Sequence, residues 1–194
     1  MQHLAMKAAA AAILVGAGTG AMKTPDAPDI PRDALNPMIG GQAMLTDDNI
    51  FDNTIKSPEH TKLAAAIRAS GLESMLKTNG PYTVFAPTDA AFAALPRAEQ
   101  TALADGAKDR VAKEVRYLVV PGRLDSQTLL KRINDSGGEA KLKTVEGGTL
   151  TAMLNGPTNI ALVDERGDVA DISIYDVYQS NGVIQVVDHA LMPR

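Results

Sequence analysis

The chain has 194 residues, with 23 acidic and 19 basic side chains and a formal net charge of −4. Apolar residues make up 45% and charged residues 22%, the make-up of a soluble globular protein with one domain and an appendage. The absence of cysteine excludes disulfides, thiolate nucleophiles, thiolate zinc sites and iron–sulfur clusters, and the acidic balance argues against a nucleic-acid binder.

Residues 1–21 read as an export leader. Lys7 precedes an apolar run from Ala8 to Ala17, and Thr19 and Ala21 set small side chains at the −3 and −1 positions of a cleavage site. That run is about half of what a bilayer span needs, so no membrane span is expected. Ala12-Ile13-Leu14-Val15 followed by Gly16, Gly18 and Ala21 also fits the glycine fingerprint of dinucleotide-binding folds. That fingerprint requires a helix starting at the glycines, and Pro25, Pro28 and Pro31 break one there. Residues 22–43, with those prolines, Pro37 and Gly40-Gly41, predict an extended linker, and one domain is expected over 44–194.

Within the domain, Asp47-Asp48-Asn49 caps a first helix. Ser57-Pro58-Glu59 predicts a helix start, Leu63, Ala66 and Ile67 its apolar stripe, and Gly71 its stop. A short helix is predicted over 72–77, a strand over 82–86, and a turn of helix carrying Phe92 and Leu95, capped by Thr88 or Asp89. Further helices are predicted over 97–104 and 108–117. In the second, Lys108, Arg110, Lys113 and Arg116 with Asp109 and Glu114 read as a solvated face, the alternative being a contact patch for an acidic polymer. Residues 118–120 are extended up to the Pro121-Gly122 turn, and Asp125 or Ser126 caps a last helix to about residue 133. After Gly138 the pattern changes to strands around Leu142, Leu150, Ile160, Ile172 and Ile184. Gly147-Gly148, Asn155-Gly156, Arg166-Gly167 and Asn181-Gly182 separate them. Helices first and strands later predict an α+β domain with a mainly antiparallel sheet.

Few residues offer chemistry. Asp135-Ser136-Gly137-Gly138 resembles the nucleophile segment of trypsin-like proteases, but after the leader only His60 and His189 remain as bases, neither in a matching context. The segment therefore reads as a helix end and a flexible turn. Asp164, Asp168 and Asp171 lack the spacing of a calcium loop and read as a solvated turn. His189 beside Asp188 reads as a surface histidine, and Met75 and Met153 as core filling. No catalytic residue, metal site or cofactor is implied.

Three segments resemble one family. Thr83-Val84-Phe85-Ala86-Pro87-Thr88-Asp89-Ala90-Ala91-Phe92 looks like the first signature of the fasciclin domain. Asn181-Gly182-Val183-Ile184-Gln185-Val186-Val187-Asp188 is similar to the second, and Tyr117-Leu118-Val119-Val120-Pro121-Gly122 resembles the stretch between them. The resemblance implies a wedge of two packed, mainly antiparallel β-sheets flanked by short helices, in a secreted, non-enzymatic adhesion module. Its partner would be a surface protein or polysaccharide of the cell envelope or matrix, and the motif segments make Tyr117, Leu118, Asp89 and Asp188 the candidate binding residues. Leu118 stands where the family usually has histidine, which keeps a packing role and weakens transfer of receptor binding. A buried Tyr117 with a satisfied hydroxyl is favoured over a partner contact. The alternative function is a periplasmic carrier of a small apolar ligand.

Overall fold

The computed structural model describes residues 36–105 and 108–194. The leader expected at 1–21 and most of the linker lie outside the described residues.

The described chain opens with β1 (Met38–Ile39) and β2 (Gln42–Ala43), an antiparallel pair. Ile39 and Met44 are each 1% exposed and belong to the core, so the fold takes in residues before the expected start at 44. Composition alone hides this, because Pro37 and Gly40-Gly41, read as linker residues, here serve a tight hairpin.

Three helices follow: α1 (Ile50–Lys56), α2 (Thr61–Ser70) and α3 (Glu73–Thr78). Asn49 caps α1, accepting from Asp52 N at 2.9 Å. Ser57, expected to cap α2, instead ends α1, its N–H donating to the Asn53 and Thr54 carbonyls. Residues 57–60 form a turn, and α2 begins at Thr61 with no side-chain cap from His60. Gly71 closes α2 in the left-handed region at φ 73°, as the stop signal predicts.

β3 (Tyr82–Pro87) runs through the centre and leads to α4 (Asp89–Ala94), capped by Thr88 through Ala91 N at 3.2 Å. Next come α5 (Arg97–Ala104), α6 (Lys108–Tyr117), β4 (Val119–Pro121) and α7 (Ser126–Asp135), the last capped by Asp125. The remaining strands are β5 (Glu139–Lys143), β6 (Thr149–Asn155), β7 (Asn159–Val163), β8 (Val169–Gln179) and β9 (Gly182–Val187).

Seven strands make a sheet in the order β4-β3-β9-β8-β7-β6-β5, antiparallel throughout except for the parallel pair β3 and β9. The strand β8 belongs to both halves and changes register between Ile172 and Ile174 and again between Ile174 and Val177. Such irregularities bend a strand. The two expected sheets are thus the two halves of a folded-over sheet, and its ends meet where Val145 N donates to Val119 O at 2.8 Å. Leu142, Leu150 and Leu162 from one half share a single core with Val84, Phe85 and Val186 from the other. Both strands are buried along nearly their whole length, Thr83 and Gln185 included, because the faces of β3 and β9 are covered on both sides; Tyr82 alone is half-buried.

Candidate functional site

The signature segments converge on the parallel pair. The β3–β9 register pairs Pro87 with Val187, so Asp89 and Asp188 leave the same end of adjacent strands. Both carboxylates are occupied by the fold. Asp89 accepts from Lys62 N at 2.9 Å and from Thr61 Oγ1, supplying the first turn of α2 with the cap that His60 does not give. Asp188 accepts from Asp171 N at 2.8 Å and pairs with His189 Nδ1 at 2.9 Å. At the opposite end, Asn181 Oδ1 accepts from Ile50 N at 2.9 Å while its Nδ2 donates to the carbonyls of Leu76 and Asn79. The turn residue therefore also fastens α1 and α3 to the sheet. Gly182 is required by proximity, since a Cβ there would stand 2.0 Å from the Tyr82 carbonyl oxygen.

Tyr117 and Leu118 stand where α6 enters β4. Tyr117 is fully buried; its hydroxyl donates to Thr149 O at 2.9 Å and accepts from Glu165 N at 3.0 Å. Burial pushes the phenol up to about 12. Its ring lies on Gly148, where a Cβ would come within 2.7 Å of the ring. Leu118 is 4% exposed. Both of these candidate residues are enclosed by the fold, as the buried reading of Tyr117 has it. Their role is to fix α6 against the strands.

Sequence reasoning missed a buried polar network beside β8. Gln185, 0% exposed, donates to Leu124 O at 3.0 Å and to Asp176 Oδ1 at 2.9 Å, and accepts from Asp176 N at 3.0 Å. Asp176 also accepts from Ser126 N at 2.7 Å and Ser126 Oγ at 2.5 Å, tying the start of α7 to the irregular part of β8. Asp176 has φ 58°, a conformation that aspartate tolerates better than most residues. Every member is satisfied, so the network is structural.

Several other residues differ from their sequence reading. Asp164 is 6% exposed and accepts from the N–H groups of Arg166, Gly167, Asp168 and Met192, so this turn is organised by a buried carboxylate rather than solvated. Glu114, read as part of a solvated face, is 7% exposed. Lys108, Arg110, Lys113 and Arg116 on the same helix are exposed. His60 is buried, its Nδ1 2.8 Å from Ser57 Oγ, and burial holds its pKa below the usual histidine value. Ser136 ends α7, as the helix-end reading has it. Among the described residues, no group of three or more His, Asp or Glu could hold a metal ion, and no helix is long and apolar enough to cross a membrane.

On the outer surface, Tyr178 of β8 is 38% exposed, with the Arg123 guanidinium 5.9 Å from its ring centre. Arg123 is anchored by donating to Gln179 O at 3.1 Å. An ordered aromatic–arginine pair facing solvent is a composition favoured at interface hot spots.

Comparison with known proteins places this arrangement. A Synechocystis protein, "Protein sll1483", is 35% identical over 133 residues, which span 68% of this chain and 66% of that protein. The pig "Transforming growth factor-beta-induced protein ig-h3" is 33% identical over 131 residues, 68% of this chain but 17% of that protein. The chain thus spans just under two thirds of the first relative and a small part of the second. Among solved structures, the domain pair of the insect cell adhesion molecule Fasciclin I superposes with a TM-score of 0.59 over 75% of this chain and 51% of that one, at 15% identity. The Fasciclin domain profile matches residues 58–193, which contain all three signature segments, and the chain belongs to the fasciclin domain family.

Proposed function

We propose that this protein is an exported, non-catalytic interaction module that acts in adhesion at the cell envelope or its surrounding matrix. The observation that supports it is the family match across the fold, shared with animal proteins that include human periostin and with the solved domain pair of a cell adhesion molecule. Residues 1–21 serve as the leader in this reading, and the proline-rich stretch that begins at residue 22 spaces the fold from the exit point. A surface protein or polysaccharide is the partner.

The exposed pair Tyr178 and Arg123 is the contact surface in place of the buried Tyr117. Tyrosine and arginine bring large contact area and directional donors at low ordering cost, and this pair is already held in place by the Gln179 carbonyl. The two motif carboxylates are committed to α2 and to the β8 strand, which leaves them a positioning role.

The test is saturable binding of the purified mature chain to envelopes and extracellular polysaccharide of the producing cells, with a heat-unfolded sample as control. Saturable binding by the folded form only is expected, reduced about tenfold by Tyr178→Ala. Equal binding by folded and unfolded samples would overturn the adhesion reading. Undiminished binding by the Tyr178→Ala chain would move the contact elsewhere on the surface.

A further inference from the structure

The helical side of the molecule contains a cavity that neither the family match nor the adhesion reading uses. Between α2, α4, α5 and α6 lies a groove of about 400 Å³ lined by Ala65, Ala66, Ala69, Phe92, Leu103 and Val111. Small alanine side chains on α2 leave this space open where larger ones would close it. Lys62 and Gln100 also border the groove, whereas the rest of the wall is apolar. Beneath it sits a chamber of about 20 Å³, which shares Ala66, Phe92, Leu103 and Val111 with the groove and is reached by Leu118 and Glu114. A chamber of this volume holds one water-sized group.

Glu114 is the polar residue of that chamber. Its side chain is 9% exposed, and its Oε1 accepts from Arg110 Nε at 3.3 Å. Its Oε2 is buried with no hydrogen-bond partner among the described residues. An unmet buried acceptor of this kind is costly, and natural folds retain few of them. Burial drives the Glu114 pKa upward, against the pull of Arg110 and Arg166.

The chamber selects the chemistry of what completes it. A lone water needs two to four polar partners, and one carboxylate oxygen in an apolar wall supplies too few. An ammonium head would bring three donors for one acceptor and carry its own desolvation cost. A hydroxyl brings one donor to one acceptor, and an attached apolar body fills the groove above. We propose that the groove between α2, α4, α5 and α6 binds a neutral apolar molecule carrying a hydroxyl, which donates to Glu114 Oε2 from inside the lower chamber. This binding site is separate from the Tyr178–Arg123 surface, so the two proposals stand or fall independently.

Titration calorimetry on the purified mature chain with 1-octanol, and with octyl methyl ether as the donor-free match, tests this. Saturable binding of octanol at least about tenfold tighter than the ether is expected, the value of one buried hydrogen bond to a charged acceptor. In Glu114→Leu the difference between the two probes should collapse to within about twofold. Ala69 is exposed on the groove side of α2, so Ala69→Trp should fill the groove and abolish both interactions while the chain still melts cooperatively. Equal affinity of alcohol and ether for the unaltered chain, unchanged octanol binding by Ala69→Trp, or no saturable heat at all would each overturn the proposal.

Discussion

Two regions of this molecule draw a carboxylate in from solvent, and they treat it in opposite ways. Along β8, the half-buried Asp176 is met by Ser126 N, Ser126 Oγ and Gln185 Nε2, so both of its oxygens are engaged. Under the helices, Glu114 has one oxygen paired with Arg110 and the other without a partner among the described residues, beside an open apolar groove. A carboxylate with both oxygens engaged works as a fastener, because its three hydrogen bonds are spent on holding segments together. An unsaturated one in a cavity wall has capacity left for something else. The difference locates where this fold is scaffold and where it has room for a ligand.

The comparison is broken most severely on the side where both carboxylate oxygens are engaged. Asp176→Ala removes the acceptor for three hydrogen bonds, leaving Gln185 Nε2 with Leu124 O alone and the half-buried Ser126 N without its acceptor, in a backbone conformation that alanine disfavours. The expected loss is about 3–5 kcal/mol, read as a lower urea midpoint with an unchanged slope. Glu114→Leu in the same assay should cost far less, since it removes a desolvated charge along with the single pairing to Arg110. A similar loss from both would show that satisfaction of the carboxylate does not separate the regions.

A smaller effect tests the seam between them. Tyr117→Phe keeps the ring on Gly148 and deletes the hydroxyl that joins Thr149 O to Glu165 N. About 1–3 kcal/mol should be lost, with a cooperative transition retained. A change in adhesion at constant stability would instead restore Tyr117 as a functional contact.

Much of this was legible in the sequence, and the failures share a cause. Asn49, Thr88 and Asp125 cap the helices that directly follow them, and the glycine turns separate the strands where the pattern placed them. These signals are local. The start of α2 was misplaced because its cap is Asp89, twenty-eight residues later in the chain, while Ser57-Pro58-Glu59 imitates a start and in fact ends α1. The charges Lys108, Asp109, Arg110, Lys113 and Arg116 along α6 make the helix read as a solvated face, yet Glu114 among them is buried. Its burial depends on the packing of α6 over α2, which no spacing along α6 reports. The hairpin of β1 and β2 was hidden in a proline-rich composition for the same reason: Ile39 enters the core through contacts with later segments.

The mildest test uses acidity, because the two sides of the fold contain groups whose stability changes run in opposite directions. Burial lowers the pKa of His60, which Glu59 and Asp89 oppose without prevailing, so folding favours the neutral ring. Its contribution is full above the unfolded value of 6.5 and is lost as the pH falls through the lowered folded value. Burial raises the pKa of Glu114, which Arg110 and Arg166 oppose and Glu99 supports. Folding therefore favours the protonated acid, and this contribution is full below the unfolded value of 4.5 and lost as the pH rises through the raised one. Replacing each group by a neutral residue separates the two. From pH 7 to pH 5, His60→Gln should lose less melting temperature than the unaltered chain. Between pH 4 and pH 7, the unaltered chain should lose ground relative to Glu114→Gln, because only the carboxyl must give up its proton inside the chamber. If the gap between Glu114→Gln and the unaltered chain stays constant across that interval, Oε2 is already solvated. The contrast between a carboxylate with both oxygens engaged and one with a buried oxygen left over would then lose its physical basis.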